Sequence, residues 1–105
     1  IITDRNLSRQ SADIIFNSNT LSIKNVYPNP FNNSTVLYYE LLKSGIVQID
    51  VFDIRGRQIR NLFIGEKNQG FHQLRWNANN NSSGLYFIQI TSSGHTVTTK
   101  VYLTK

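Results

Sequence analysis

The sequence contains no cysteine and no methionine, and it has only two prolines among its 105 residues. Without cysteine, disulfides, zinc-thiolate sites and thiol nucleophiles are excluded. Apolar runs are far shorter than the ~20 residues of a membrane-spanning helix, so we expect no membrane insertion. Because the chain starts at Ile1 without a methionine or a secretory signal, we expect a fragment or processed piece whose signal lies upstream.

The charge of the chain is moderately positive and widely spread. Eleven Lys and Arg against six Asp and Glu give a net charge of +5, a balance that attracts phosphates and anionic surfaces. Arg55, Arg57 and Arg60 form the only basic cluster, whereas nucleic-acid-binding proteins gather such residues on one surface. We therefore interpret most of these charges as solvated, and we expect no nucleic-acid partner.

Hydrophobic and polar residues alternate through most of the chain, with Gly, Asn and Ser interrupting the pattern about every ten residues. This alternation predicts seven short strands, each with one apolar face: 21–27, 35–42, 46–53, 58–64, 71–77, 85–91 and 96–104. Such strands predict an all-β fold, an immunoglobulin-like antiparallel β-sandwich. The polar, irregular residues 1–20 are interpreted as a linker or the tail of an upstream region, and residues 21–105 as the domain.

The sequence indicates neither catalysis nor a cofactor. No Gly-x-Ser-x-Gly nucleophile elbow is present. His72 is in phase with the apolar face of its strand, which predicts a half-buried residue with a backbone partner. The Asn-rich segment 77–81 lacks the acids that calcium prefers. We expect no metal site, because four of the carboxylates are scattered along the sequence: Glu40, Asp50, Asp53 and Glu66.

Six short segments form a recognisable series. Together they resemble the type A C-terminal sorting domain of the type nine (Por) secretion system, over about residues 23–105. In order they are YPNPFN at 27–32, SG at 44–45, VFDIRGR at 51–57, GFHQLRW at 70–76, SGLYF at 83–87 and KVYLTK at 100–105. Many family members have proline where this chain has Asn33 and Leu42, in predicted loops or strand ends.

The resemblance implies a recognition module at the C-terminus of a secreted cargo, passing through the periplasm to the cell surface or the medium. It implies recognition by an outer-membrane translocon, and removal by a sortase-like peptidase as the cargo is joined to surface lipopolysaccharide. An accessory immunoglobulin-like module that binds carbohydrate or a neighbouring protein domain is the alternative, and a structural spacer is a third. A related sandwich occurs in flagellar hook-cap proteins, so fold alone does not decide function.

The first motif is expected to be mainly structural. Pro28 and Pro30, on either side of Asn29, predict an extended segment between strands, because proline fixes its own backbone. Phe31 is placed to plug the end of the sandwich. Trp76, on the apolar face of the fifth strand, belongs to the matching motif.

The other motif residues predict turns and corners. Asp53 and Gly56 are expected to shape a tight hairpin, with the aspartate accepting backbone N–H bonds and the glycine taking a positive φ. Arg57 is expected to be solvated or to pair with Asp53. Tyr86, just after Gly84, stands where immunoglobulin-like domains place a tyrosine corner.

Outward positions of the third, sixth and seventh strands carry Phe52, Phe87 and Tyr102, which we call the aromatic stripe. These strands are neighbours in one sheet of an immunoglobulin-like sandwich, so the stripe is a candidate docking surface for a translocon component, a sugar or an upstream domain. The alternative is that residues 12–17, or neighbouring side chains, cover it.

The last strand offers a second candidate recognition element. Lys100 and Lys105 supply two cations, and the strand ends beside a terminal carboxylate, so a receptor can capture it by strand addition. The alternative is a closing edge strand whose lysines prevent aggregation.

Overall fold

The computed structural model describes residues 20–105 and places seven strands there, as the alternation predicts. The predicted linker, apart from Thr20, lies outside this range, and with it residues 12–17, the expected alternative cover of the outward aromatic residues. The strands are β1 Leu21–Tyr27, β2 Ser34–Leu41, β3 Gly45–Phe52, β4 Gln58–Lys67, β5 Gly70–Asn77, β6 Gly84–Ser92 and β7 His95–Leu103.

The strands form two sheets, which confirms the predicted all-β sandwich. One sheet has the order β1-β2-β5 and the other β4-β3-β6-β7, and all neighbouring strands are antiparallel. The third, sixth and seventh strands are neighbours, as in immunoglobulin-like domains. The fourth strand pairs with the third instead of joining the three-stranded sheet, which makes the second sheet the wider of the two.

The core lies between the sheets, because alternate residues of each strand point inward. It is built from aliphatic and aromatic side chains, which hold the sheets together by excluding water. With no cysteine in the chain, no disulfide supplements this packing. The buried hydrophobic residues are Leu21, Val26, Phe31, Leu37, Tyr39, Leu41, Val47, Ile49, Val51, Trp76, Ala78, Tyr86, Ile88, Ile90, Val97, Val101 and Leu103.

Strand β4 is longer than the sequence predicts, since it continues from Ile64 to Lys67. The glycine at 65 suggests a loop, but Gly65 pairs with Val47 and Lys67 with Gly45. The ring of Phe63 lies over Gly65, and the Lys67 ammonium lies 4.9 Å from the centre of that ring. A cross-strand partner and an aromatic cover therefore keep this glycine within the sheet.

Candidate recognition surfaces

The Pro28–Phe31 segment leaves the three-stranded sheet and runs beside β7 of the other sheet. Proline has no N–H to offer a neighbouring strand, and the side chain of Asn29 supplies the pairing. Its Nδ2 donates to the carbonyl of Lys100 at 3.2 Å, and its Oδ1 accepts from the N–H of Tyr102 at 2.9 Å. The Asn29 amide thus pairs with β7 as a peptide group would.

The backbone of Phe31 continues this pairing toward the end of the chain. Its N–H donates to the carbonyl of Tyr102 at 2.9 Å, and its carbonyl accepts from the N–H of Thr104 at 2.8 Å. Asn29 and Phe31 therefore occupy the outer bonding positions of the chain from Lys100, in β7, to Thr104, just beyond it. The sequence leads us to expect an accessible edge here, and the structure corrects that expectation, because strand addition would have to displace this segment.

Three aromatic side chains fill the same end of the sandwich. Phe31 and Trp76 have ring centroids 5.3 Å apart, and Tyr86 meets Trp76 edge-on, also at 5.3 Å. All three are buried, and such pairs contribute about 0.5–1.5 kcal/mol each beyond their buried area. Residues far apart in the sequence therefore converge around Trp76.

The loop before β6 is fixed by the same group of residues. The Tyr86 hydroxyl donates to the carbonyl of Ser82 at 2.6 Å, which is the bond that a tyrosine corner makes. Gly84 has a φ of 154°, a conformation that side chains disfavour. The N–H of Lys105 donates to Ser83 Oγ at 2.9 Å, and its ammonium donates to the carbonyl of Asn79. One candidate recognition lysine is thus bound to this loop.

The turn between β3 and β4 is organised by Asp53. Its Oδ1 accepts from the N–H groups of Arg55 and Arg57 at 2.9 and 3.0 Å, and its Oδ2 pairs with Arg57 Nε at 2.9 Å. Desolvation acts to raise the pKa of Asp53, but the hydrogen bonds and charge of Arg57, with the Arg55 N–H, outweigh it and lower that pKa. Gly56 completes the turn with a φ of 84°. These contacts serve the turn itself.

The aromatic stripe lies on the outer face of the four-stranded sheet. Phe52 and Phe87 are directly opposed on β3 and β6, and both are half-buried. Tyr102 of β7 is opposite Leu85 of β6 and therefore diagonal to Phe87. Its side chain is 45% exposed. Lys100 is opposite Phe87, so a cation ends the row. The three rings therefore share one continuous patch.

Beside the stripe lies a polar group that sequence reasoning overlooks. The Asp50 carboxylate is only 6% exposed although it faces outward. It accepts from the amides of Gln48 at 3.0 Å, Gln58 at 3.2 Å and Asn61 at 2.8 Å. The alternation predicts that Asp50 faces outward. It does not predict the amides around the carboxylate, because two of the three belong to β4, whose pairing with β3 contains bulges. This network joins β3 to β4 beside the stripe.

The comparisons with known proteins identify the family of the chain. A family model described as the secretion system C-terminal sorting domain of the Por type matches residues 25–104. This chain belongs to that family. The match covers all seven strands except the first four residues of β1, and it includes both the Pro28–Phe31 segment and β7. A search of curated protein sequences found no significant match.

A solved structure supports the fold of this sorting domain. PorZ of Porphyromonas gingivalis, described as an essential surface component of the type-IX secretion system, is 21% identical, with a TM-score of 0.56. The alignment covers 79% of this chain but 11% of PorZ. The likeness therefore shows a shared sandwich, and the chain corresponds to a small part of that protein.

Membership places the sorting domain in a non-catalytic family whose members are secreted to the cell surface and interact with the secretion machinery.

Within residues 20–105, no three His, Asp or Glu side chains converge as metal ligands would. Nor does any helix in that range have the length and apolar character to cross a membrane. His72 is half-buried and bonds through Nε2 to the carbonyl of Asn68 at 2.7 Å.

Proposed function

We propose that this sorting domain directs the protein that precedes it across the outer membrane through the type nine secretion system. The outer-membrane translocon recognises the folded domain, and a sortase-like peptidase removes it when the cargo is attached to the surface. Residues 1–20 serve as the linker to the cargo, and residues 21–105 as the address. The family match, which begins at residue 25, supports this division.

One observation carries the proposal: the motifs of the family are brought together by the fold. The Pro28–Phe31 segment, Trp76 and β7 are separate in sequence, yet they meet at one end of the sandwich. Their contacts form only when the domain is folded. A receptor that reads this end therefore distinguishes a complete sandwich from an unfolded chain.

The surface that we assign to docking is the aromatic stripe together with Lys100. Aromatic residues are enriched where a few side chains dominate a protein interface. Here two rings are half-buried and therefore held in place, while Tyr102 and Lys100 are exposed beside them. The Lys100 ammonium meets no carboxylate among residues 20–105, so it is free to pair with an acidic group on the translocon.

Export of a reporter tests the sorting function. The full 105-residue chain is fused behind a periplasmic reporter in a bacterium that has the type nine machinery. We expect the reporter at the cell surface or in the medium, and gel mobility reports cleavage, because an uncleaved fusion is 12.1 kDa larger. The reporter alone, and the fusion in a strain without the machinery, are the controls and should stay in the periplasm.

Periplasmic retention of a folded fusion would contradict the sorting proposal. If that fusion also bound glycans through the aromatic stripe, the accessory-module alternative would be favoured. Export at full size would support sorting and argue against cleavage of this domain. These outcomes separate the address function from its processing.

Replacing Phe87 with serine tests the docking surface. We expect export of the fusion to fall strongly while the domain stays folded, because an aromatic residue at the centre of an interface often contributes about 2 kcal/mol or more to binding. Surface fluorescence measures export, and the unfolding midpoint of the purified chain measures folding.

Phe71→Ser is the matched control for this prediction. Phe71 is an exposed phenylalanine on the other sheet, so its loss removes the same ring from a different face. Normal export of F71S with poor export of F87S supports docking through the stripe. Equal export of both variants would rule the stripe out as the docking surface.

A further inference from the structure

The outer face of the three-stranded sheet carries two adjoining shallow clefts, which we call the paired clefts. The first has a volume of about 270 Å³ and is lined by Tyr38, Phe71, His72 and Gln73. The second, of about 260 Å³, is lined by Val36, Tyr38, Gln73 and Arg75. Tyr38 and Gln73 belong to both, so the clefts form one continuous surface.

Strand pairing fixes the order of the groups along this surface. Tyr38 is opposite Gln73, and Val36 is opposite Arg75. Phe71, Gln73 and Arg75 are alternate residues of β5, so they point to the same face. At about 3.3 Å per residue, Phe71 and Arg75 lie roughly 13 Å apart. Along β5, the ring of Phe71, the amide of Gln73 and the guanidinium of Arg75 thus follow one another.

The charges around the paired clefts leave one guanidinium available. Arg75 donates from Nη1 to Ser34 Oγ at 2.8 Å, and it meets no carboxylate within residues 20–105. The carboxylate of Glu40, which is opposite Phe71 at the other end of the clefts, pairs with Lys24 at 3.4 Å. A guanidinium binds a carboxylate through two parallel hydrogen bonds. The second cleft therefore suits a ligand that carries an acidic group.

The sheet itself restricts what kind of ligand can bind. The clefts lie on the face of the sheet between β2 and β5. An extended peptide that extends a sheet adds at a free edge, which here is the outer side of β5 and not this face. A ligand seated in the clefts therefore meets side chains: the exposed ring of Phe71, the half-buried ring of Tyr38 and the amide of Gln73. Flat rings pack against the C–H face of a sugar, and an amide bonds its hydroxyls.

We propose that the paired clefts bind an acidic oligosaccharide of the hexuronate class. One sugar ring packs against Tyr38 and Phe71, Gln73 bonds the hydroxyls of the central unit, and Arg75 pairs with the carboxylate of the next. This site is on the opposite sheet from the aromatic stripe, and it is independent of the export function.

Titration with trigalacturonate tests the proposal. The full chain is followed by NMR, and we expect the amide signals of 71–75 to shift, with at least tenfold weaker binding of the neutral galactotriose. Arg75→Gln should weaken trigalacturonate binding about tenfold and abolish the preference for the acidic sugar, since the paired hydrogen bonds from the guanidinium to the carboxylate are lost. Tyr38→Ala should weaken both sugars.

Arg55→Gln is the matched control, because Arg55 is exposed in the β3–β4 turn and its removal lowers the net charge equally. Unchanged binding by R55Q, with unfolding midpoints of all variants near that of the parent, supports a site at the clefts. An equal loss in R55Q and R75Q would show general charge attraction and overturn the proposal. So would the absence of shifts with trigalacturonate, or tighter binding of tetraglutamate than of the sugar.

Discussion

Replacing Trp76 with alanine is expected to lower the free energy of unfolding by about 3–5 kcal/mol, the usual cost of truncating a buried aromatic residue. Trp76 is fully buried and contacts both Phe31 and Tyr86, so its loss leaves a cavity between two rings. The free energy of unfolding of a native domain is about 5–15 kcal/mol in total, so this loss is a large fraction of it. We therefore expect W76A to unfold at a clearly lower urea concentration than the parent chain, as followed by circular dichroism.

Trp76→Phe separates the packing of the indole from its polar atom. The Nε1 of Trp76 is buried and has no hydrogen-bond partner, so phenylalanine removes no hydrogen bond while it keeps an aromatic ring in place. W76F should therefore be clearly more stable than W76A. If the two variants lost the same stability, ring packing around Trp76 would not be what holds this end together.

Replacing Asn29 with alanine is expected to lower the free energy of unfolding by about 2 kcal/mol, although Asn29 is exposed. The change removes two hydrogen bonds to β7 at ~1 kcal/mol each. Hydrogen exchange of the Tyr102 amide should accelerate more than that of core amides, since this edge opens locally.

Two variants sharpen the Asn29 experiment. Asn80→Ala removes an exposed asparagine of the β5–β6 loop and should leave both stability and Tyr102 exchange unchanged. Asn29→Asp keeps the acceptor for the Tyr102 N–H but turns the donor toward Lys100 into a carboxylate facing a carbonyl. N29D should protect Tyr102 better than N29A does. Slow Tyr102 exchange in N29A would show that the side-chain pairing is dispensable.

The strands could be predicted from sequence because one face of each is apolar. Residues such as Val47, Ile49 and Val51 alternate with outward polar ones, and all three are buried. The same alternation placed Phe52, Phe87 and Tyr102 on one outer face, and it also places Tyr38, Phe71 and Arg75 on the other. The paired clefts therefore have a signal in the sequence, but the alternation does not show that β2 and β5 are neighbours, which only the pairing of the strands decides.

The closed edge of β7 had no such signal. Asn29 and Tyr102 are 73 residues apart, and periodicity within a strand says nothing about which distant loop lies beside it. A Pro-Asn-Pro turn predicts an interruption, and only the tertiary structure shows that its asparagine pairs with the last strand. The prediction that β4 ends at Ile64 was wrong for a similar reason, since pairing with residues of β3 carries β4 through Gly65 to Lys67.

The pairing of Asn29 and Phe31 with residues 100–104 has a consequence for synthesis of the chain. A ribosome makes the Pro28–Phe31 segment roughly seventy residues before its partners, at about 5–20 residues per second, so the segment waits several seconds. Contacts of such long sequence separation form late in folding. The finished edge thus reports that translation has passed residue 104, and a prematurely terminated product cannot display it.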